Sequence, residues 1–142
     1  MAARRIANTS DRARRSKRGT ASTVNKALLV VEDDPRVREV TSQVLSLAGY
    51  SVLKAATANA ALTTFRRYGK KLQLVITDLV LPGKDGRALA AEMKAVRPEL
   101  KILLTSGYPE TALNTSAIEG IEYLSKPFSA DSLLNKVHQV LR

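Results

Sequence analysis

Few residues in this chain can do chemistry, and their types narrow the choice at once. Among 142 residues there is no cysteine and a single histidine, His138. Disulfide frameworks, thiol nucleophiles, zinc clusters and any reaction needing two imidazoles are thereby excluded. What remains is a set of oxygen donors and one ammonium: Glu32-Asp33-Asp34, Asp78, Thr105-Ser106 and Lys126-Pro127. Each follows an apolar run. The clearest is Leu72 to Asp78, which contains β-branched Val75 and Ile76 and ends on a carboxylate. It reads as a strand buried on both faces. A buried strand does not continue through a charge, and Pro82-Gly83 and Asp85-Gly86 turn the chain straight afterwards.

The elements around these positions alternate. Ala27 to Val31 reads as a first strand, then Pro35 suits the first turn of a helix with Val37, Val40, Val44 and Leu47 at helical spacing, closed by Gly49. Tyr50 to Ala55 is a weaker strand. Ala58 to Tyr68 makes a helix with Ala61, Leu62, Phe65 and Tyr68 on one side, ended by Gly69. After the Asp78 strand, Arg87 to Arg97 reads as a helix with Leu89, Met93 and Val96 inward, stopped at Pro98. Lys101 to Leu104 is a fourth strand and Pro109 to Ala117 a short helix. Ile121 to Leu124 is a fifth strand, and Ser129 to Leu141 a last helix with Leu133, Leu134, Val137 and Leu141. Strands alternating with short helices predict βαβ units. The expected fold is therefore α/β, a doubly wound five-stranded parallel sheet in the order 2-1-3-4-5. In that order the first and third strands are neighbours, at the switch point where such sheets bind ligands.

Composition sets the frame. The chain is 44% hydrophobic, enough for one domain with a proper core over residues 26–142. No apolar run approaches the roughly 18 residues of a membrane span, so a soluble, cytoplasmic protein is expected. The net charge of +10 is uneven: residues 1–25 hold seven basic residues and one acid, Asp11. Such a segment cannot bury enough surface to order itself and reads as a disordered tail. Its Arg12 to Arg18 cluster also admits a nucleic-acid, anionic-membrane or localisation role, and its composition resembles a transit peptide. No aromatic residue accompanies the charges to stack on bases, which favours the plain solvated tail.

If the sheet order holds, Glu32, Asp33 and Asp78 crowd one edge. Like charges that close raise one another's pKa, and a hard divalent cation removes the conflict. Oxygen ligands alone favour Mg²⁺ over zinc. Lys126 and the Thr105-Ser106 hydroxyls could then bind the extra oxygens of a phosphoryl group attached to Asp78. Taken singly each residue is ordinary, and Asp34 could serve simply as a helix cap.

Val30-Val31-Glu32-Asp33-Asp34-Pro35, the Asp78 to Gly86 stretch, Leu104-Thr105-Ser106-Gly107 and Tyr123-Leu124-Ser125-Lys126-Pro127-Phe128 together resemble the receiver domain of two-component response regulators. The resemblance covers residues 26–142 and implies the flavodoxin-like, CheY-like (βα)5 fold. It implies Asp78 as phosphoacceptor, with Mg²⁺ held by Asp33, Asp78 and the backbone carbonyl of Val80, and by Glu32 through water. It further implies Lys126 as the bridge to the phosphoryl group, a cis peptide before Pro127, and Thr105 with Tyr123 as a switch pair. Two departures are mild: Glu32 replaces the commoner Asp, and Ser106 stands where Ala is frequent.

The implied partners are a sensor histidine kinase or histidine phosphotransfer protein, and a downstream target. The target would meet the surface formed by the 109–117 helix, the fifth strand and the last helix. Nucleic acid would be reached only through the basic tail, and the protein would be a monomer or a phosphorylation-dependent dimer. It would be a signalling phosphoacceptor and not an enzyme acting on a separate substrate. The alternative setting is a receiver segment of a hybrid histidine kinase, which the Leu103 to Tyr108 stretch resembles. A flavin-binding reading fails because three acids in the first loop would repel a phosphate. An aspartyl phosphatase would need a second Asp two residues beyond a first-strand nucleophile, and Pro35 stands there.

Overall fold

The computed structural model describes residues 26–108 and 120–142. The basic tail and the helix expected over Pro109 to Ala117 lie outside the described residues. Five strands, β1 (Ala27–Val31), β2 (Ser51–Ala55), β3 (Leu72–Asp78), β4 (Lys101–Ser106) and β5 (Ile121–Ser125), form one parallel sheet in the order β2-β1-β3-β4-β5. This is the expected doubly wound, CheY-like α/β fold. Its helices are α1 (Pro35–Leu47), α2 (Ala58–Tyr68), α3 (Gly86–Val96) and α4 (Ala130–Leu141).

Strand alternation sends successive side chains to opposite faces, and both faces are covered. Leu29, Val31, Val75, Ile102 and Leu104 pack with Leu62 and Phe65 of α2 and Leu89 and Met93 of α3. Leu28, Val30, Leu74, Ile76 and Leu103 pack with Leu45 of α1 and Leu133, Val137 and Val140 of α4. Burial on both sides explains why these strands read as continuous apolar runs.

One helix lies in a different phase from the one its apolar spacing predicts. In α1 the buried residues are Thr41, Ser42 and Leu45, while Val40 is 60% and Leu47 84% exposed. At 100° per residue the Val37-Val40-Val44-Leu47 stripe stands roughly a third of a turn from the buried side. In α3, Leu89 and Met93 are buried as expected, and Val96, the last helical residue, is 74% exposed.

Beyond Asp78 the chain makes a two-residue antiparallel ladder, Val80–Leu81 against Lys84–Asp85, with Gly83 at φ +76° in the turn. Asp85 then caps α3, its Oδ1 accepting from the Arg87 amide at 2.7 Å. Gly86 follows, and its amide donates to the Leu79 carbonyl at 2.6 Å. A Cβ at 86 would collide with the Asp78 carbonyl oxygen and lie 2.9 Å from Leu79 Cα. Both are backbone atoms and cannot swing aside. Gly86→Ala is therefore expected to destabilise the fold by about 2 kcal/mol or more, despite alanine's better helix propensity. Urea melts of the two proteins check this, and an equally stable variant would refute the close approach.

Candidate functional site

The carboxyl edge of the sheet collects the residues with chemical capacity. Glu32 and Asp33 follow the last residue of β1, and Asp78 ends β3, with Val31 and Thr77 in register between the two strands. On the other side of β3, Thr105 of β4 pairs with Asp78. Lys126 follows the last residue of β5, and its amide donates to the Ser106 carbonyl at 2.7 Å. The peptide before Pro127 is cis.

One carboxylate oxygen from each of Glu32, Asp33 and Asp78 lies within 4.8 Å of the others. The Lys126 ammonium donates to Glu32 Oε1 at 2.7 Å and to Asp78 Oδ2 at 3.0 Å. Glu32 is buried and Asp33 exposed, while the Asp78 side chain is 13% exposed at the floor of the site. Three carboxylates against one ammonium leave two negative charges uncompensated. The donors are all hard oxygens, so the set suits a hard divalent cation of the Mg²⁺ kind.

Several supports were not visible as site residues in the sequence. Arg38, one turn into α1, donates from its guanidinium to the Glu32 carbonyl at 2.8 Å and fixes the exit of β1. Asp34 is the α1 cap: its Oδ1 accepts from the Arg36 amide at 2.9 Å, and its own amide donates to Glu32 Oε2 at 3.1 Å. A cap could be anticipated from Asp preceding Pro35. Arg38 carried no such cue. The amide of Val80 donates to Asp78 Oδ1 at 3.3 Å. Thr105 is buried, and Tyr123, half-buried on β5, packs against the cluster under α2 and α3. Beside the site a groove of about 570 Å³ runs between the start of α1 and the Lys126 to Phe128 loop, lined by Arg36, Val37, Val40 and Phe128 among others.

Residues 28–138 match the family model described as the response regulator receiver domain. The chain belongs to that family. The receiver is 34% identical over 116 residues to the sensor kinase CckA of Brucella abortus, covering 80% of this chain but 12% of the kinase. It is 34% identical over 118 residues to the response regulator receiver protein CpdR of the same organism, covering 82% of this chain and 97% of CpdR. Among solved structures, the response regulator TrrA of Thermotoga maritima in complex with Mg²⁺-BeF superposes with a TM-score of 0.72 at 33% identity. That match covers 82% of this chain and 99% of TrrA. No described helix of the receiver is long and apolar enough to cross a membrane.

Burial pushes the Glu32 carboxyl above its ordinary range, more than the Lys126 and Asp34 hydrogen bonds pull it down, and the Asp78 charge adds to the rise. Burial also opposes the charge on Lys126, but its hydrogen bonds to Glu32 and Asp78 prevail and hold it above the usual lysine value. In both cases the folded receiver grips its proton more tightly than the unfolded chain does. For Glu32, the stability this confers is full below the ordinary carboxylate range and lost as pH rises through the raised value. The metal-free receiver should therefore lose stability as pH climbs across that window, and Glu32→Gln should remove that part of the slope. Urea melts at a series of pH values in chelator measure it. An unchanged slope in the variant would exclude Glu32 as the source.

Proposed function

We propose that Asp78 accepts a phosphoryl group from a phosphohistidine on a sensor histidine kinase or histidine phosphotransfer protein. The observation that carries the reading is the convergence of Glu32, Asp33 and Asp78 with Lys126 at one sheet edge. An Asp78 carboxylate oxygen attacks the phosphorus. Its lone pair forms the O–P bond, the P–N bond breaks, and that electron pair leaves on the imidazole nitrogen. Lys126, already 3.0 Å from Asp78 Oδ2, is placed to donate to an incoming phosphoryl oxygen. Asp33, Asp78, the Val80 carbonyl and, through water, Glu32 would hold Mg²⁺, which supplies positive charge against the phosphoryl oxygens when bound. Water attacking in line at phosphorus later releases inorganic phosphate and restores Asp78. The receiver thus catalyses only its own phosphorylation and dephosphorylation, as a cytoplasmic signalling module.

The donor's approach is supported by α1. Its unburied Val40 and Leu47, with half-buried Val37 and Val44, form an apolar stripe leading to the groove beside Lys126. A partner presenting an apolar helix face could cover that stripe while holding its phosphohistidine over Asp78. For output, Thr105 stands next to Asp78 on β4, and Tyr123 stands on β5 beside Leu104. A phosphoryl group hydrogen-bonded to Thr105 would draw its hydroxyl inward and let Tyr123 follow, changing the surface around β5 and α4. The likeness to CckA supports the same chemistry inside a hybrid kinase as a second setting.

Incubation with Mg²⁺ and a phosphorylated kinase or small phosphodonor should label the receiver with a base-labile phosphate, absent from Asp78→Asn. Equal labelling of that variant would refute the assignment. The lifetime of the phosphate depends on the groups beside the attacking water. Val80 is 62% exposed next to Asp78, and Gly107 follows β4, so neither side chain can orient that water by hydrogen bonding. Val80→Asn supplies such a group, worth about 1 kcal/mol, so decay of phospho-Asp78 after donor removal should quicken several-fold. Decay no faster in the Asn variant would show that position 80 does not set the lifetime.

A further inference from the structure

The edge of the sheet opposite Asp78 is cationic. Strands β1, β3 and β4 are interior neighbours, and each starts at a lysine: Lys26 precedes Ala27, Lys71 precedes Leu72, and Lys101 opens β4. Ala27 and Leu72 are in register, while Lys101 pairs with Leu74, so Lys101 stands about 11 to 12 Å from Lys71 and Lys26 along and across the sheet. Lys70 adjoins them, and Arg66 and Arg67 stand in the last turn of α2 at the same end. All six are exposed.

Among the described residues none of the six has an ion pair, although Arg67 lies over the Tyr68 ring. The acids of this edge are already engaged, Glu99 with Arg97 at 2.8 Å and Glu122 with Lys136 at 3.3 Å. Two ordinary explanations cover only part of the cluster. Cations at a helix C-terminus interact with the macrodipole, which accounts for Arg66 and Arg67. It extends to Lys70 and Lys71, which end the single 3-10 turn (Gly69–Lys71) continuing α2, but strands carry little net dipole, so it does not account for Lys26 and Lys101. Lysine also protects exposed edge strands, but β1, β3 and β4 are flanked on both sides.

We propose that this edge is a binding face for the phosphodiester backbone of a nucleic-acid duplex. Spread, flexible and unpaired cations without an enclosing pocket suit a line of phosphates better than a single anion. In the sequence, residues 1–25 ahead of Lys26 carry seven basic residues against one acid. The aromatic among them, Tyr68, is half-buried against the core beneath Arg67 and so is not presented to a bilayer, and a cationic patch alone anchors weakly to membranes. The face lies across the sheet from Asp78, so duplex binding leaves the phosphoryl site open.

Fluorescence anisotropy with the full chain and a labelled DNA duplex of about 30 base pairs, across a salt series, tests the face. Wild type should bind at near-physiological salt. Lys70→Glu/Lys71→Glu/Lys101→Glu should weaken binding at least tenfold and lower the slope of log K against log salt by about two to three. The corresponding Gln variant should show a smaller loss, and both should retain wild-type melting and phosphorylation on Asp78. Three results would overturn the proposal: a Glu variant that binds like wild type, no duplex binding at that salt, or binding to phosphatidylserine vesicles without binding to duplex.

Discussion

The contact on which the site depends is the Lys126 ammonium held between Glu32 and Asp78. It ties the end of β1 to the end of β3 by a residue that follows β5, so groups from three strands are fixed by one side chain. Two unit charges about 5 Å apart repel by roughly 3 kcal/mol at an effective dielectric of about 20, and less where one of them, like Asp33, is exposed. One ammonium offsets part of that repulsion among three carboxylates. The rest is borne by the sheet beneath, whose strand residues from Leu28 to Val31 and from Leu74 to Ile76 are almost wholly buried. A packed interior of that kind does not relax to let the carboxylates separate. The charge excess that results suits a hard divalent cation, the group that the proposed phosphoryl transfer to Asp78 calls for.

That arrangement was largely legible in the sequence because it lies at strand ends. A buried parallel strand is a continuous apolar run, and the first polar residue after it marks the sheet edge with little ambiguity. Asp78, Thr105 and Lys126 could be placed that way. Helix faces were harder. Periodicity reveals an apolar stripe but not whether the sheet or another molecule covers it. In α1 Val40 and Leu47 face outward while Thr41 and Ser42 are buried, and the Ser42 hydroxyl finds no partner among the described residues. The supports of the site were also hidden, since Arg38 acts on a backbone carbonyl and Gly86 acts by lacking a side chain. Neither role leaves a pattern in residue types.

Parallel strands impose a polarity that antiparallel ones do not. Every strand of the five-stranded sheet ends on the same side, so an excess of acids at strand ends and of lysines at strand starts falls on two opposite edges. Helices running back antiparallel sharpen the division. Their N-terminal caps, Asp34, Asp85 and Ser129, fall on the acidic side, and the Arg66 and Arg67 turn falls on the other. Capping and dipole preferences thus reinforce a charge separation that the strand termini begin.

The same topology bears on how a change at Asp78 could reach the surface. The Thr105 carbonyl accepts from the amide of Leu79, the residue after β3, at 2.8 Å, so its backbone is held beside Asp78. The next strand outward, β5, is the sheet edge, and its residues are less buried than those of β4. Tyr123 is half-buried against the core cluster, beside the buried β4 on one side of an otherwise less buried strand. A rotation on the less buried β5 disturbs less packing than one on β3 or β4, whose side chains are almost wholly buried. In the proposed switch, the interior strands serve as the fixed frame and the edge strand as the part that responds. Asp78, the proposed phosphoacceptor, sits one strand away from Thr105 and two from that edge.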